Sequence, residues 1–93
     1  MQEFDWDDNK ALSNLERHRL SFDEAIAVFA DPKLLTVDTS REEDGEPREK
    51  AIGRIQDRLS TVVFTRRGSV VRLISARRAN AQEIRLWDAH FST

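Results

Sequence analysis

The run Ser75-Ala76-Arg77-Arg78 closes an apolar stretch, Val70-Val71-Arg72-Leu73-Ile74, that reads as a β-strand. Neighbouring side chains on a strand point to opposite faces, so two adjacent arginines at its end cannot share one. At least one guanidinium should therefore reach an open sheet face, where its planar fork suits a phosphate or a carboxylate. Five more arginines, Arg48, Arg54, Arg66, Arg67 and Arg72, stand in or beside strand-like segments, and Lys10, His18, Glu46 and Glu83 are side chains able to move a proton. Metal-free cleavage of RNA needs only such parts. A base takes the proton of the ribose 2′-hydroxyl, cations stabilise the pentavalent phosphorane, and an acid protonates the departing 5′-oxygen. The product of that route is a 2′,3′-cyclic phosphate.

Other chemistries fit poorly. The 93 residues contain no cysteine, which removes disulfides, thiolate metal sites and cysteine nucleophiles. The two histidines, His18 and His90, fall on separate predicted helices without metal-ligand spacing, so no metal and no cofactor are expected. There is no GxSxG elbow, and three glycines form no phosphate-binding loop. No apolar stretch is long enough to cross a bilayer and no apolar leader opens the chain, so the expected address is the cytoplasm, with no membrane partner. The net charge of −2 conceals a strong asymmetry. Residues 1–46 carry 5 Lys+Arg against 13 Asp+Glu, a balance of −8, whereas residues 47–93 carry 10 against 4, a balance of +6. Nine of those ten C-terminal cations are arginine, the residue suited to bidentate phosphate contact.

The elements that must position these groups can be read from periodicity. Glu3-Phe4-Asp5-Trp6-Asp7 alternates acid and apolar, a short strand with Phe4 and Trp6 inward. Asp7 or Asp8 caps a helix over about 9–18, with Leu12 and Leu15 three apart on one side. Ser21 and Glu24 form a capping box for a second helix with Phe22, Ala25, Ile26 and Phe29 as its apolar stripe, ended by Asp31-Pro32. These two helices make a hairpin. A short strand at 34–37, an acidic turn-rich loop from Asp38 to Pro47, and strands at 48–55, 59–65 and 70–76 follow, the last two joined by a hairpin loop at Arg66-Arg67-Gly68-Ser69. Asn80 caps a last helix whose Ile84, Trp87 and Phe91 line one face. The expectation is one α+β domain over residues 1–93, with an antiparallel sheet of about four strands, helices packed on one face and the other partly open.

The ordered pattern Phe4-x-Trp6-Asp7, Lys10-x-x-x-Asn14-Leu15-x-x-His18, Ser21-Phe22-x-Glu24-Ala25, Val28-Phe29-x-Asp31-Pro32, Gly45-Glu46-x-Arg48, Ile52-Gly53, Ile74-Ser75-Ala76-Arg77-Arg78 and Glu83 resembles the BrnT toxins of type II toxin–antitoxin modules. The resemblance covers nearly the whole chain. It implies a RelE-like fold, an endoribonuclease that arrests translation, and a tight BrnA-type antitoxin through which the complex binds its own promoter DNA. Carried to matching positions, it makes Lys10, His18, Glu46, Arg48, Arg77, Arg78 and Glu83 the functional candidates, with the general base unassigned. Arg54, Arg66, Arg67 and Arg72 are the remaining candidates for RNA contact. The chain departs from the family pattern at Arg19-Leu20, where a glycine commonly follows the histidine, and at Pro47-Arg48-Glu49-Lys50, where an aromatic is usual. A proline there suggests that this strand begins at a sheet edge.

Each candidate also has a plainer reading. Arg77 and Arg78 can be strand-end charges paired with Glu83 or the acidic loop, Arg48 an edge-strand charge, His18 a helix C-terminal cap, and Glu83 the capping-box acid of the last helix. A catalytically weak or inactive module of the same fold, acting only as antitoxin partner and co-repressor, is the rival to the nuclease. A direct DNA reader is disfavoured because no helix is rich enough in cations to enter a major groove.

Overall fold

A computed structural model of the chain describes residues 1–92, with Asp44 by its backbone alone. Five strands form one mixed sheet in the order β1-β5-β4-β3-β2. They are β1 (Glu3–Trp6), β2 (Leu35–Asp38), β3 (Glu49–Ile55), β4 (Arg58–Arg67) and β5 (Val70–Arg78). The last four pair with one another antiparallel, and β1 adds to β5 as a parallel edge with Phe4 opposite Val71 and Trp6 opposite Leu73. Among the described residues, no helix is long and apolar enough to cross a membrane.

Three helices complete the fold. Helix α1 (Asp8–His18) starts at Asp7, whose carboxylate accepts from the Asn9 N–H at 3.1 Å. It ends at Arg19, which sits in the left-handed region at φ 58° and donates its N–H to the Leu15 carbonyl. That is where glycine is usual, because a Cβ is crowded there. Helix α2 (Phe22–Ala25) is held by the Ser21–Glu24 capping box, then tightens into a 3₁₀ segment, Ile26–Ala30. Helix α3 (Ala81–Phe91) is held by an Asn80–Glu83 capping box.

The register shows which side chains share a face. Val62 pairs with Ala51 and Ala76, and all three join Leu20, Phe22, Ala25 and Val28 in the core. One face is thus covered by α1, α2 and the 3₁₀ segment. Phe22, Phe64, Leu20 and Leu73 are fully buried in this layer, each side chain of that size contributing about 1.5–3 kcal/mol. Gly53 lets the 3₁₀ segment press onto β3, since a Cβ there would lie 2.9 Å from a Val28 methyl. The Asp31 carboxylate locks the same contact by accepting from the Lys33 and Arg54 N–H groups.

Several expectations need correction. The second sheet face is not free of helices, because α3 lies against it over β3. Thr61, whose partners Ile52 and Arg77 share its face, donates to Glu83 of α3, so the helix lies opposite the Val62 layer. Ile52 and Thr61 on this face are fully buried, which an uncovered sheet would not achieve. The inward residues of α3 are Glu83 and Trp87, and Ile84 points outward. On α1 the buried residue is Asn14, while Leu12 and Leu15 are exposed. Strand β3 is interior rather than an edge, and Pro47 stands just before it, its carbonyl accepting from Thr65. The β4–β5 strands run longer than expected, leaving Gly68-Ser69 as the turn, with Gly68 at φ 61°.

Candidate active site

A β-bulge decides where Arg77 points. Val63 of β4 pairs with Ser75 but Phe64 pairs with Leu73, so Ile74 is one residue too many on β5. Before the bulge Val71 and Leu73 face the core, and after it Ala76 does. The shift delivers Ser75 and Arg77 to the α3 side of the sheet, beside Val63 and Thr61. Arg78 falls on the core side and donates to Ser60 Oγ at 3.1 Å. One arginine of the pair thus reaches the second face.

Arg77 does not reach it alone. Its Nη1 and Nη2 donate to Oε1 and Oε2 of Glu83 at 2.7 and 2.8 Å, a two-point fork. Glu83 is fully buried and accepts three more hydrogen bonds, from Lys50 Nζ at 3.1 Å, Thr61 Oγ1 at 2.9 Å and the Asn80 N–H at 2.9 Å. Burial by itself would raise its carboxyl. The donors, Arg77 foremost, outweigh it and hold the group at about 2, below its ordinary 4.5. The same hydrogen bond to Glu83 raises Arg77. One buried carboxylate thereby gathers two cations, and the cluster keeps a net positive charge.

Above it lies a cavity of about 380 Å³ lined by Thr39, Arg41, Arg48, Lys50, Val63, Ile74, Ser75 and Arg77. Of these eight described residues four are cations and none is a carboxylate. Arg48 is fixed through its backbone, with Ser40 Oγ accepting from its N–H and both Ser40 Oγ and the Thr39 N–H donating to its carbonyl. Arg77 spends two of its N–H groups on Glu83 and one on the Arg78 carbonyl, which leaves two of its five for a ligand.

A second cavity, about 320 Å³, lies between α1 and the end of β5 and is lined by Asn9, Lys10, Ser13, Asn14, Arg17, His18, Ile74 and Ser75. It forms where β1 has ended, leaving the backbone edge of β5 to α1. Asn14 closes that edge as a strand would: its Nδ2 donates to the Ala76 carbonyl at 2.8 Å and its Oδ1 accepts the Ala76 N–H at 2.9 Å. The bulge residues Ile74 and Ser75 wall both cavities. Cations on β3, β5 and the β2–β3 connection are thus brought beside the imidazole and amine of α1.

The structure separates the sequence candidates into two groups. Arg48 and Arg77 line the first cavity with Glu83 beneath it, and Lys10 and His18 line the second. The others lie elsewhere. Glu46 pairs with Arg67 at 3.5 Å, Arg66 with Glu49 at 2.8 Å and Arg72 with Asp5 at 3.2 Å, while Arg54 stacks on Trp87 at 5.4 Å. Sequence reasoning passed over Lys50, Arg41, Arg17 and Asn14. Period 2 from Arg48 would have found Lys50, and helical spacing from Lys10, Ser13 and Asn14 would have found Arg17. Arg41 sits in a connection whose course no periodicity reports.

The sequence model of the family described as "Ribonuclease toxin, BrnT, of type II toxin-antitoxin system" matches residues 6–83. The chain belongs to the BrnT family. The matched span holds every residue that lines the two cavities and ends on Glu83, the carboxylate that anchors Arg77. Membership makes the chain a ribonuclease toxin of a type II module, for which an antitoxin is the partner. No match was found among curated proteins.

Proposed function

We propose that this BrnT-family chain is an endoribonuclease in which protein cations, rather than a metal ion, carry the charge of the scissile phosphate. The observation that supports it is the cavity where Arg41, which also meets Glu43, converges with Arg48, Lys50 and Arg77, no carboxylate being among the described residues of the wall. Fixed guanidinium groups there would stabilise the two negative oxygens of a phosphorane without reorganising during the reaction. The 2′-oxygen attacks the adjacent phosphorus, the P–O5′ bond breaks, and a 2′,3′-cyclic phosphate and a 5′-hydroxyl result. Of the candidate proton carriers, Glu46 is turned to Arg67 and Glu83 is an ionised anion saturated with donors. His18 and Lys10, across the Ile74–Ser75 wall, remain. His18 takes the 2′-hydroxyl proton, and Lys10, as its ammonium, gives one to the departing 5′-oxygen. In the cell, cleavage would arrest translation, and a BrnA-type antitoxin would neutralise the toxin and carry the complex to promoter DNA.

The test is purified protein on single-stranded RNA at low salt, with and without chelator, followed by end-group analysis. Cyclic phosphate ends that form equally with chelator are expected. Arg77→Ala should slow cleavage by about 10²–10³-fold, the usual cost of one charge-stabilising donor. His18→Ala should slow it by about 10²–10⁴-fold. Intact RNA, from a protein that still binds its antitoxin, would favour a binding module without catalysis, a reading that the withdrawal of Glu46 from the cavity supports.

A further inference from the structure

We propose that the outer face of α1 is the seat of the antitoxin, and that the segment docking there is an amphipathic helix with basic residues flanking its apolar stripe. An antitoxin partner follows from family membership; its place on this chain and the chemistry of its docking segment do not. Beside α1 runs a groove of about 340 Å³ lined by Trp6, Ala11, Leu12, Leu15, Ser21 and Phe22, with Asp8 and Asp23 in its wall. Leu12 and Leu15 are 61% and 43% exposed, although their i, i+3 spacing places them on one stripe that a core would normally cover.

Helix geometry separates this groove from the chemistry. At 100° per residue, Asn9, Lys10, Ser13 and Arg17 centre on one side of α1, and Asp8, Ala11, Leu12 and Leu15 centre on the opposite one. The two sides also differ in sign. The cavity side carries Lys10 and Arg17, whereas the groove's described residues include two aspartates and no cation. A polyanion is repelled from such a groove. A helix that places leucine-sized side chains between Trp6 and Leu15, with lysine or arginine beside Asp8 and Asp23, is complementary to it. The other exposed apolar pair, Ile84 and Leu86 on α3, lies two residues apart and so points in different directions, which gives no continuous stripe.

The experiment is calorimetric titration of the purified antitoxin from the adjacent reading frame into the intact toxin and its variants. Leu12→Glu with Leu15→Glu should weaken binding at least 100-fold while RNA cleavage stays at the wild-type rate. Ile84→Glu with Leu86→Glu should leave affinity within a few-fold. Asp8→Asn with Asp23→Asn should slow association several-fold at low salt, and the difference should vanish at high salt. Unchanged affinity in the Leu12/Leu15 pair would overturn the proposal, as would loss of binding in the Ile84/Leu86 pair alone. A toxin that dimerises by itself, and becomes monomeric with the Leu12/Leu15 pair, would give the groove to a second copy and overturn it equally. Should the double variant fail to fold by circular dichroism, Leu12→Ala decides, with about tenfold weaker binding expected and unchanged binding fatal. Antitoxin affinity is read without RNA, so failure here is distinct from failure of the nuclease reading.

Discussion

Glu83 was legible as a cap from its own spacing and as a candidate only through the family pattern. Asn80 followed three residues later by an acid is a local signal, and the capping box is present. That the same carboxylate also receives Arg77, Lys50 and Thr61 depends on three strands meeting one helix, which no local pattern encodes. Its depressed titration makes a testable link to stability. The folded group sits at about 2 against an ordinary 4.5, so the stabilisation is fully present above about pH 5 and is lost as the pH falls toward 2. The amount is about 2–3 kcal/mol. Glu83→Gln should therefore lower stability at pH 7 by at least that much, because Arg77 and Lys50 lose their buried counter-charge. It should also flatten the fall in stability between pH 5 and pH 2. Urea unfolding across that range measures both, and a wild-type-like acid limb in the variant would remove Glu83 as the anchor of the cluster.

Elements were more legible than their placement. Caps at Asp7, Ser21 and Asn80, the stop at Asp31-Pro32 and the alternation of the strands are local, and the elements lie where those signals put them. The side of the sheet taken by α3 was not, because it is chosen by Ile52, Thr61 and Glu83 after the strands have paired. Nor was the bulge at Ile74, although the sequence carries its trace. Core positions run Val71, Leu73, Ala76, and the three-residue step between Leu73 and Ala76 breaks the strict alternation. Between α1 and α2, Arg19 keeps a left-handed conformation without being glycine. Arg19→Gly should remove a backbone cost of about 1 kcal/mol. In a domain of this size that raises the melting temperature by about 4–8 °C. A melt at or below wild type would show that the arginine side chain compensates for its own strain.

Across the whole molecule, the acidic first half and basic second half are partly folded onto one another. Asp5 meets Arg72 and Glu46 meets Arg67, each an acid of the first half with an arginine of the second. Glu49 holds Arg66 within the second half. These three arginines line neither cavity; the described residues of the two walls include Lys10, Arg17, Arg41, Arg48, Lys50 and Arg77 and no carboxylate, with Glu43 meeting Arg41 at 3.7 Å and Glu83 holding Lys50 and Arg77 from beneath. Charge counting along the sequence detects a basic half but does not separate the hairpin arginines from the cavity cations, three of which, Lys10, Arg17 and Arg41, belong to the acidic half, because the cavities gather residues far apart in the chain. RNA affinity against salt concentration separates them. Each phosphate neutralised on a single strand contributes about −0.7 to the slope of log K against log salt. Arg48→Ala and Lys10→Ala, one from each cavity, should each reduce the magnitude of that slope by about 0.7, and together by about 1.4. Arg66→Ala with Arg67→Ala should leave the slope unchanged, because those side chains meet carboxylates at the hairpin tip instead of phosphates. If the hairpin pair flattened the slope and the cavity pair did not, the RNA would run along the β4–β5 tip and not across the bulge.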